Sequence, residues 1–434
     1  MSATDPDHDP HQAADQALHR TIEAVWRIES ARVIAGLTRL TRDVGLAEDL
    51  AQEALLAALE QWPRSGVPDN PGAWLTAAAK RRAIDLFRRN AVAARKHEEL
   101  GRDLATLEQT VPDLTSTLDD PIGDDLLRLV FISCHPVLST ESRTALTLRL
   151  LGGLTTPEIA RAFLAPEATI AQRIVRAKRT LAEKRIPFEV PRGAELAARL
   201  SSVLEVIYLI FNEGYFATAG DDLIRPTLCE DALRLGRILA ELTPQEPEVH
   251  GLVALMEIQA SRTRARVGPG GEPILLLDQN RAHWDFLLIR RGLAAIDRAH
   301  TINSTRGPYL LQAEIAACHA RARTPSETDW ARIVSLYTEL VHLTPSPVIE
   351  LNRAVAVSMA SGPQAGLALV DALVSEPSLA RYHLLPSVRA DLLYKLGRQA
   401  EARRQFELAA SLTQNTRERV LLLTRAASCK TPPG

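Results

Sequence analysis

Apolar positions recur along most of the chain at three- and four-residue steps, the period of a helix with one buried face. Leu46, Leu50, Ala54, Leu55 and Leu59 mark such a face, and Glu48, Asp49, Gln52 and Glu53 fall largely on the opposite one. Three prolines and a glycine between Trp62 and Pro71 predict a turn. A second helix is predicted from Gly72 to Asn90, with Trp74, Leu75, Ala78, Ala79, Ile84 and Phe87 inward. Leu154 to Lys184 reads as helix, break, helix. Thr155 or Thr156 caps the first, Pro157 suits its first turn, and Leu164-Ala165-Pro166 ends it. The second, Glu167 to Leu181, turns Ile170, Ile174, Ala177 and Leu181 inward and leaves Thr169, Gln172, Arg173 and Arg176 outward. Further helices are predicted at Leu196 to Phe211, Leu223 to Leu242 and Val249 to Ala260. The Gly268-Pro269-Gly270-Gly271 turn precedes a short extended excursion at Ile274 to Leu277. The expected fold class is all-α.

Composition agrees with this reading. The 434 residues are 46% hydrophobic and 24% charged, ordinary globular values, with only 4% aromatics. The long segments are rich in Ala, Leu, Arg and Glu, which lose little on entering a helix. The length suggests about three folding units. The four cysteines, Cys134, Cys229, Cys318 and Cys429, are too far apart for a zinc motif or a disulfide framework, so reduced thiols and no metal or other cofactor are expected. Met1 to Gln12 lacks the basic start and apolar centre of a signal peptide, and no apolar run is long enough to cross a bilayer, so a cytoplasmic protein without membrane partners is expected.

Charge is balanced overall, 51 Lys and Arg against 53 Asp and Glu, but it is segregated along the chain. Lys80, Arg81, Arg82, Arg88, Arg89, Arg95 and Lys96 face the single acid Asp85. From His97 to Leu126 the sign reverses, and Pro112 and Pro121 interrupt any helix, which predicts an acidic linker. Its carboxylates, Asp119, Asp120, Asp124 and Asp125 among them, are expected to compete for the basic faces when DNA is absent. From Ala168 to Arg185 the sign changes again, with Arg173, Arg176, Lys178, Arg179, Lys184 and Arg185 against Glu183, most of them on the second helix of the 154–184 unit. A short helix, a tight break and a basic second helix form the geometry that places a helix in the DNA major groove. Two basic modules on a linker can hold separate stretches of DNA, with Lys and Arg on phosphates and Gln172 or Arg173 reading base edges.

These residues carry a resemblance. Ala47-Glu48-Asp49-Leu50-Ala51-Gln52-Glu53-Ala54-Leu55 is similar to the region 2 helix of extracytoplasmic-function (ECF) sigma factors of bacterial RNA polymerase, within the sigma-70 family. Ala73-Trp74-Leu75 with Lys80-Arg81-Arg82-Ala83-Ile84-Asp85-Leu86-Phe87-Arg88-Arg89 resembles the segment that reads and melts the -10 element. Gly153-Leu154-Thr155, Glu158-Ile159-Ala160, Thr169-Ile170, Arg173, Arg176-Ala177-Lys178 and Leu181 resemble the region 4 helix-turn-helix that reads the -35 element. The resemblance implies core RNA polymerase as partner, through the β′ clamp helices and the β flap, together with promoter DNA. It implies polymerase contacts at Asp49, Gln52 and Glu53, -10 contacts at Trp74, Lys80, Arg81, Arg82, Arg88 and Arg89, and -35 contacts at Thr169, Gln172, Arg173, Arg176, Lys178 and Arg179. It implies no catalysis.

The last 240 or so residues exceed a minimal two-domain sigma factor. Leu396-Gly397-Arg398, Glu401-Ala402, Phe406, Ala409, Leu412 and Asn415 fit a tetratricopeptide repeat, and Gly362 precedes Gly397 by 35 residues, close to the period of about 34. Trp330, Leu336, Tyr337 and Leu340 suggest half of another repeat. Such helix pairs stack into a grooved array that binds a protein or small ligand. The predicted organisation is a disordered tail (1–14), region 2 (15–96), the acidic linker (97–126), region 4 (127–190) and a helical tetratricopeptide-like regulatory extension (191–434). Glu213, His283 and Asp285 are residue types a hydrolase uses, but without a nucleophile motif they read as helix-capping or packing residues. The alternatives to a sigma factor are a stand-alone helix-turn-helix regulator with a sensing domain, and a tetratricopeptide scaffold.

Overall fold

A computed structural model describes residues 10–98, 122–163, 165–216, 219–220, 224–303 and 305–429. The chain divides into two compact units, residues 1–161 with 165–206, and residues 162–164 with 207–434. Among the described residues, apart from one pair of two-residue strands and an isolated bridge, the regular elements are helices, and the fold is all-α. No described helix is long and apolar enough to cross a membrane.

The first unit opens with α1 (Pro10–Thr41), α2 (Val44–Ser65) and α3 (Pro71–Glu98). The turn between α1 and α2 is two residues long. Arg42 takes φ 55 and Asp43 caps α2 by accepting from the Leu46 amide at 3.0 Å. The α2 face buried against its neighbours is built largely from alanines, Ala47, Ala51, Ala54 and Ala58, all with no exposed surface. Leu46, Leu55 and Leu59, expected at the centre of that face, sit at its half-buried margin. Close helix approach selects the smaller side chains. The helix also runs further than the proline-rich turn predicted, carrying Pro63 in its last turn, where few intrahelical bonds remain to be lost. It ends at Gly66, φ 78, whose amide returns to the Trp62 carbonyl.

The same unit continues with α4 (Ile122–Ser133), α5 (Thr140–Leu150), α6 (Thr156–Ala162) and α7 (Glu167–Glu183). Thr155 and Glu158 form a reciprocal capping box at the start of α6. Ile170, Ile174, Ala177 and Leu181 of α7 are all buried, as their spacing predicts. Most of the acidic linker, residues 99–121, lies outside the described residues, with Asp119 and Asp120 among them. Asp125 does not behave as a linker acid: it is a buried residue of α4, paired with Arg39 at 3.1 Å and Arg128 at 2.6 Å. Of the predicted tail, residues 1–9 fall outside the described residues, and α1 begins at Pro10.

The unit boundary falls within α8 (Ala194–Tyr215). In the first unit its Arg199 donates to the Phe131 carbonyl at 3.1 Å and Ser202 to the Cys134 carbonyl at 2.8 Å, closing the C-terminal end of α4.

The second unit contains α9 (Pro226–Leu242), α10 (Pro247–Ala260), α11 (Phe286–Ile302), α12 (Pro308–Arg321), α13 (Trp330–Leu343), α14 (Pro347–Ser361), α15 (Pro363–Leu373), α16 (Leu384–Lys395), α17 (Gln399–Leu412) and α18 (Thr416–Ser428). Gly362 and Gly397 occupy equivalent hairpin turns, between α14 and α15 and between α16 and α17, with φ 95 and 77. The 35-residue spacing thus marks a repeated turn that needs left-handed backbone. Leu351, Leu367, Val370, Leu393, Phe406 and Leu422 join these helices in one core. A second core joins α10, α11 and α12 through Ile258, Ile296 and Leu310. The Gly268–Gly271 turn is present, but the extended excursion shrinks to a single antiparallel bridge, Val267 to Pro273, and Leu276–Asp278 is a 3-10 turn.

Glu213, His283 and Asp285 are not assembled into a site. Asp285 caps α11 through the Leu287 and Leu288 amides, Glu213 pairs with Arg225, and His283 lies exposed in a 3-10 turn. The cysteines are unpaired, and Cys229, whose thiol burial pushes up to about 12, packs against the Phe211 carbonyl.

Gly251 of α10 faces the start of α12 so closely that a methyl group would meet the Leu310 amide nitrogen at 2.7 Å. Gly251→Ala must therefore push α10 and α12 away from each other, and urea unfolding should show a loss of about 1–3 kcal/mol.

Candidate functional site

The first unit carries three surfaces that sequence singled out. On α2, Asp49 and Glu53 are exposed and Gln52 is half-buried. Leu56, 59% exposed, follows them on the same helical face. Sequence reading passed over it, although a leucine among acids on a solvent face is the available signal for a protein-docking surface.

On α3, Arg81, Arg88 and Arg89 are exposed, whereas Lys80 is partly desolvated. Burial, then the charge of Arg39, lowers the Lys80 pKa, and Asp125 opposes that shift. Arg82 meets Glu53 of α2 at 3.3 Å, which joins the two predicted surfaces at their border. Trp74 is half-buried and packs edge-to-face on the fully buried Trp62, ring centroids 5.4 Å apart. It is a core aromatic that stays partly accessible.

On α7, Gln172, Arg176 and Arg179 are exposed, and Thr169 and Arg173 are half-buried. Arg179 pairs with Glu183 one turn away at 2.6 Å. Arg173 lies near Glu141, whose pKa is lowered first by hydrogen bonding at the α5 cap and to a smaller extent by Arg173.

Lys178 stands apart from this group. It follows Thr169 by nine residues, about two and a half helical turns, and so projects from the opposite side of α7. There its ammonium pairs with Glu48 of α2. Arg149 of α5 reaches the other oxygen of the same carboxylate at 2.5 Å, and the Gln52 amide donates to it at 2.5 Å. Sequence placed Glu48 on the solvent-facing side of its helix, but it is 2% exposed. Its partners lie 101 and 130 residues further along the chain, beyond the reach of any local pattern. Burial alone would raise the Glu48 pKa. The charges of Lys178 and Arg149, with their hydrogen bonds, outweigh it and hold the carboxyl below its ordinary range. A second link joins the same halves of the unit, Arg27 of α1 to Glu158 of α6 at 3.2 Å.

Comparison with known proteins agrees with this layout. Residues 27–92 match the family model described as Sigma-70 region 2, and residues 128–181 match Sigma-70, region 4. Residues 199–300 match a family of unknown function, DUF6596. An uncharacterized protein of Rhizobium meliloti (strain 1021) is 44% identical over 389 residues, covering 89% of this chain and 90% of its own. The ECF RNA polymerase sigma factor SigK of Mycobacterium sp. (strain KMS) is 30% identical over 155 residues, 35% of this chain and 76% of the relative. The probable ECF RNA polymerase sigma factor SigI of Mycobacterium tuberculosis is 28% identical over 176 residues, 40% of this chain and 58% of the relative.

Glu48→Gln leaves two cations facing a neutral amide, and should lower the urea stability of the first unit by about 2–4 kcal/mol. Glu53→Gln, which opens an exposed pair, should change it by no more than about 1 kcal/mol. The folded Glu48 pKa is depressed, so its contribution is complete at neutral pH. It starts to fall as pH drops below the ordinary 4.5 and vanishes as pH passes through the lower folded value. Wild type and Glu48→Gln should therefore converge in stability on acidification. The two matched regions, in this order and with this geometry, place the chain in the extracytoplasmic-function sigma factor family of RNA polymerase.

Proposed function

We propose that the chain directs core RNA polymerase to promoters by reading two DNA elements with two separate helices, α3 and α7. The observation that carries this reading is the pair of solvent-facing cationic helix surfaces, one within each matched sigma region. Each has an apolar face that fixes it on its own helices, so its outward residues are free to meet phosphates or bases. Sigma factors are transcription initiation factors rather than enzymes, and we assign the chain no catalytic step. We place its action in the cytoplasm, where polymerase is.

In this reading, Asp49, Gln52, Glu53 and Leu56 dock on the β′ clamp helices. Lys80, Arg81, Arg82, Arg88 and Arg89 follow the -10 element, with the partly exposed Trp74 against unstacked bases. Thr169, Gln172, Arg173, Arg176 and Arg179 meet the -35 element while the surrounding helices approach the β flap. Lys178 is held by Glu48 in the arrangement described, and reaches phosphate only once that contact opens. The opening is a two-state element on which the C-terminal extension acts as regulator. We read that extension as a tetratricopeptide-like array.

Purified chain mixed with bacterial core polymerase should start transcripts from a subset of genomic promoters that core alone does not use. Asp49→Ala with Glu53→Ala should reduce copurification with core while leaving thermal unfolding unchanged. If core affinity does not move, those two residues are not the docking contacts.

Arg173→Ala should weaken promoter binding by about 1–3 kcal/mol and relax preference at one -35 position, measured across a promoter library. A loss that is uniform across sequences would make Arg173 a phosphate contact instead.

A further inference from the structure

The second unit buries a group of arginines without carboxylate partners. Arg262 and Arg266 follow the C-terminus of α10 and are 7% and 9% exposed, and the half-buried Arg281 lies in the 3-10 turn before α11. Among the described residues none of the three has an Asp or Glu within ion-pair distance. Glu327 is the carboxylate whose field reaches Arg281. By contrast, the buried acids Glu257 and Glu314 and the half-buried Asp391 each meet two or more basic side chains. The missing counter-charge is therefore local to this group.

Two of the arginines converge on one indole. The guanidinium carbon of Arg262 lies 5.9 Å from the centre of the Trp284 ring and that of Arg281 lies 4.8 Å from it. Arg266 stacks on Tyr215 at 3.6 Å and adds its field to Arg262. Helix ends supply some of the balance, because Arg281 donates to the His319 carbonyl at 2.6 Å and to the Ala322 carbonyl at the end of α12, and Arg266 donates to the Tyr215 carbonyl at the end of α8. Three helix C-termini, those of α8, α10 and α12, provide about half a negative charge each, which leaves roughly half of the threefold positive charge unbalanced.

Donors in this group also lack acceptors. Among the described residues, Arg262 Nε, Arg281 Nε and Trp284 Nε1 are buried without a hydrogen-bond partner, and so is His319 Nδ1. Arg262, Trp284 and His319 are each more than nine-tenths buried. Burial, with Arg262 and Arg281 adding to it, pushes His319 down to about 4, so the ring is neutral and can present one N–H. Unpaired buried donors beside uncompensated guanidinium groups form the complement of an oxyanion, which accepts from several N–H groups at once. The Trp284 ring and Trp330, which packs edge-to-face on His319 at 5.2 Å, provide apolar walls.

We propose that Arg262, Arg281, Trp284 and His319 form a binding site for a small oxyanion, a carboxylate- or phosphate-bearing metabolite, within the C-terminal extension. Arg262 and Arg281 neutralise the ligand, and the Trp284 and His319 N–H groups orient it. The site stands whether or not the chain reads promoters in the way proposed above, because binding requires neither polymerase nor DNA.

The test titrates full-length protein with inorganic phosphate in one arm and succinate in the other, at constant ionic strength held with chloride, by calorimetry and thermal unfolding. One arm or both should show saturable binding of one anion per chain and a rise in unfolding temperature. Phosphate alone assigns a phosphorylated ligand, succinate alone a carboxylate, and both a general oxyanion site. Arg262→Gln and Arg281→Gln should each weaken binding about tenfold or more, the loss of one charge-assisted contact. Trp284→Phe retains the ring but removes the N–H, so it should weaken binding by a few-fold and serves as the mild variant should either glutamine fail to fold. The proposal is overturned if neither anion saturates below about 10 mM, or if all folded variants bind as wild type does.

Discussion

A carboxylate removed from water between two helical modules is the constraint on which the first unit depends. Glu48 retains only 2% of its surface, and an ionised group so placed is tolerated only when cations are fixed beside it. Arg149 and Lys178 meet that need from α5 and α7, so the α2 face that buries Glu48 is specified as much by region 4 as by its own sequence. The pairing makes the contact conditional. If either half moves away, Glu48 must be hydrated and both cations become available to other anions. An apolar interface of the same area would resist opening without offering any substitute partner, whereas an ionic one can exchange one carboxylate for another acid or for phosphate.

That exchange separates two kinds of cation in this protein. Arg81, Arg88 and Arg176 are exposed, have no buried ion-pair partner among the described residues, and are screened by salt. Lys178 and Arg149 are committed to Glu48 and shielded from solvent on most of their surface. Affinity for a polyanion drawn from the first group comes at once, while the second group contributes only after a conformational change. The run of basic residues from Arg173 to Arg185 does not show this division, because charge composition is blind to helical phase. The phase itself is readable: Lys178 lies opposite Thr169, and a helical projection of α7 separates it from the face shared by Gln172, Arg173 and Arg176.

Elements defined by strong local periodicity were legible in advance, and those defined by long-range chemistry were not. The buried face of α7 follows directly from Ile170, Ile174, Ala177 and Leu181, and the capping box at Thr155 from residue types three apart. In α2 the helix was plain but its phase was not, because large leucines draw attention and the tightest contact belongs to alanines. Asp125 looked like a member of a solvated acidic run, yet Arg39 on another helix removes it from that run. The arginines of the second unit were invisible for the same reason. Arg262, Arg266 and Arg281 are scattered singly among ordinary residues, and only folding places two of them over one indole.

The near-neutral total charge of this chain therefore conceals three different electrostatic environments. Surface cations on α3 and α7 are hydrated and impose no cost on folding. The Glu48 carboxylate is buried and more than balanced by Arg149 and Lys178, so it holds two modules together without depending on anything outside the chain. The Arg262 group is buried and only partly neutralised, by helix ends and aromatic faces, which makes its stability sensitive to whatever anion enters. A ligand that completes such a group stabilises the state in which the arginines are gathered by its full binding free energy. That is the thermodynamic requirement for a sensor, since an equilibrium moves only by the difference in affinity between its states. With the anion site proposed above, the second unit would meet it with its own residues.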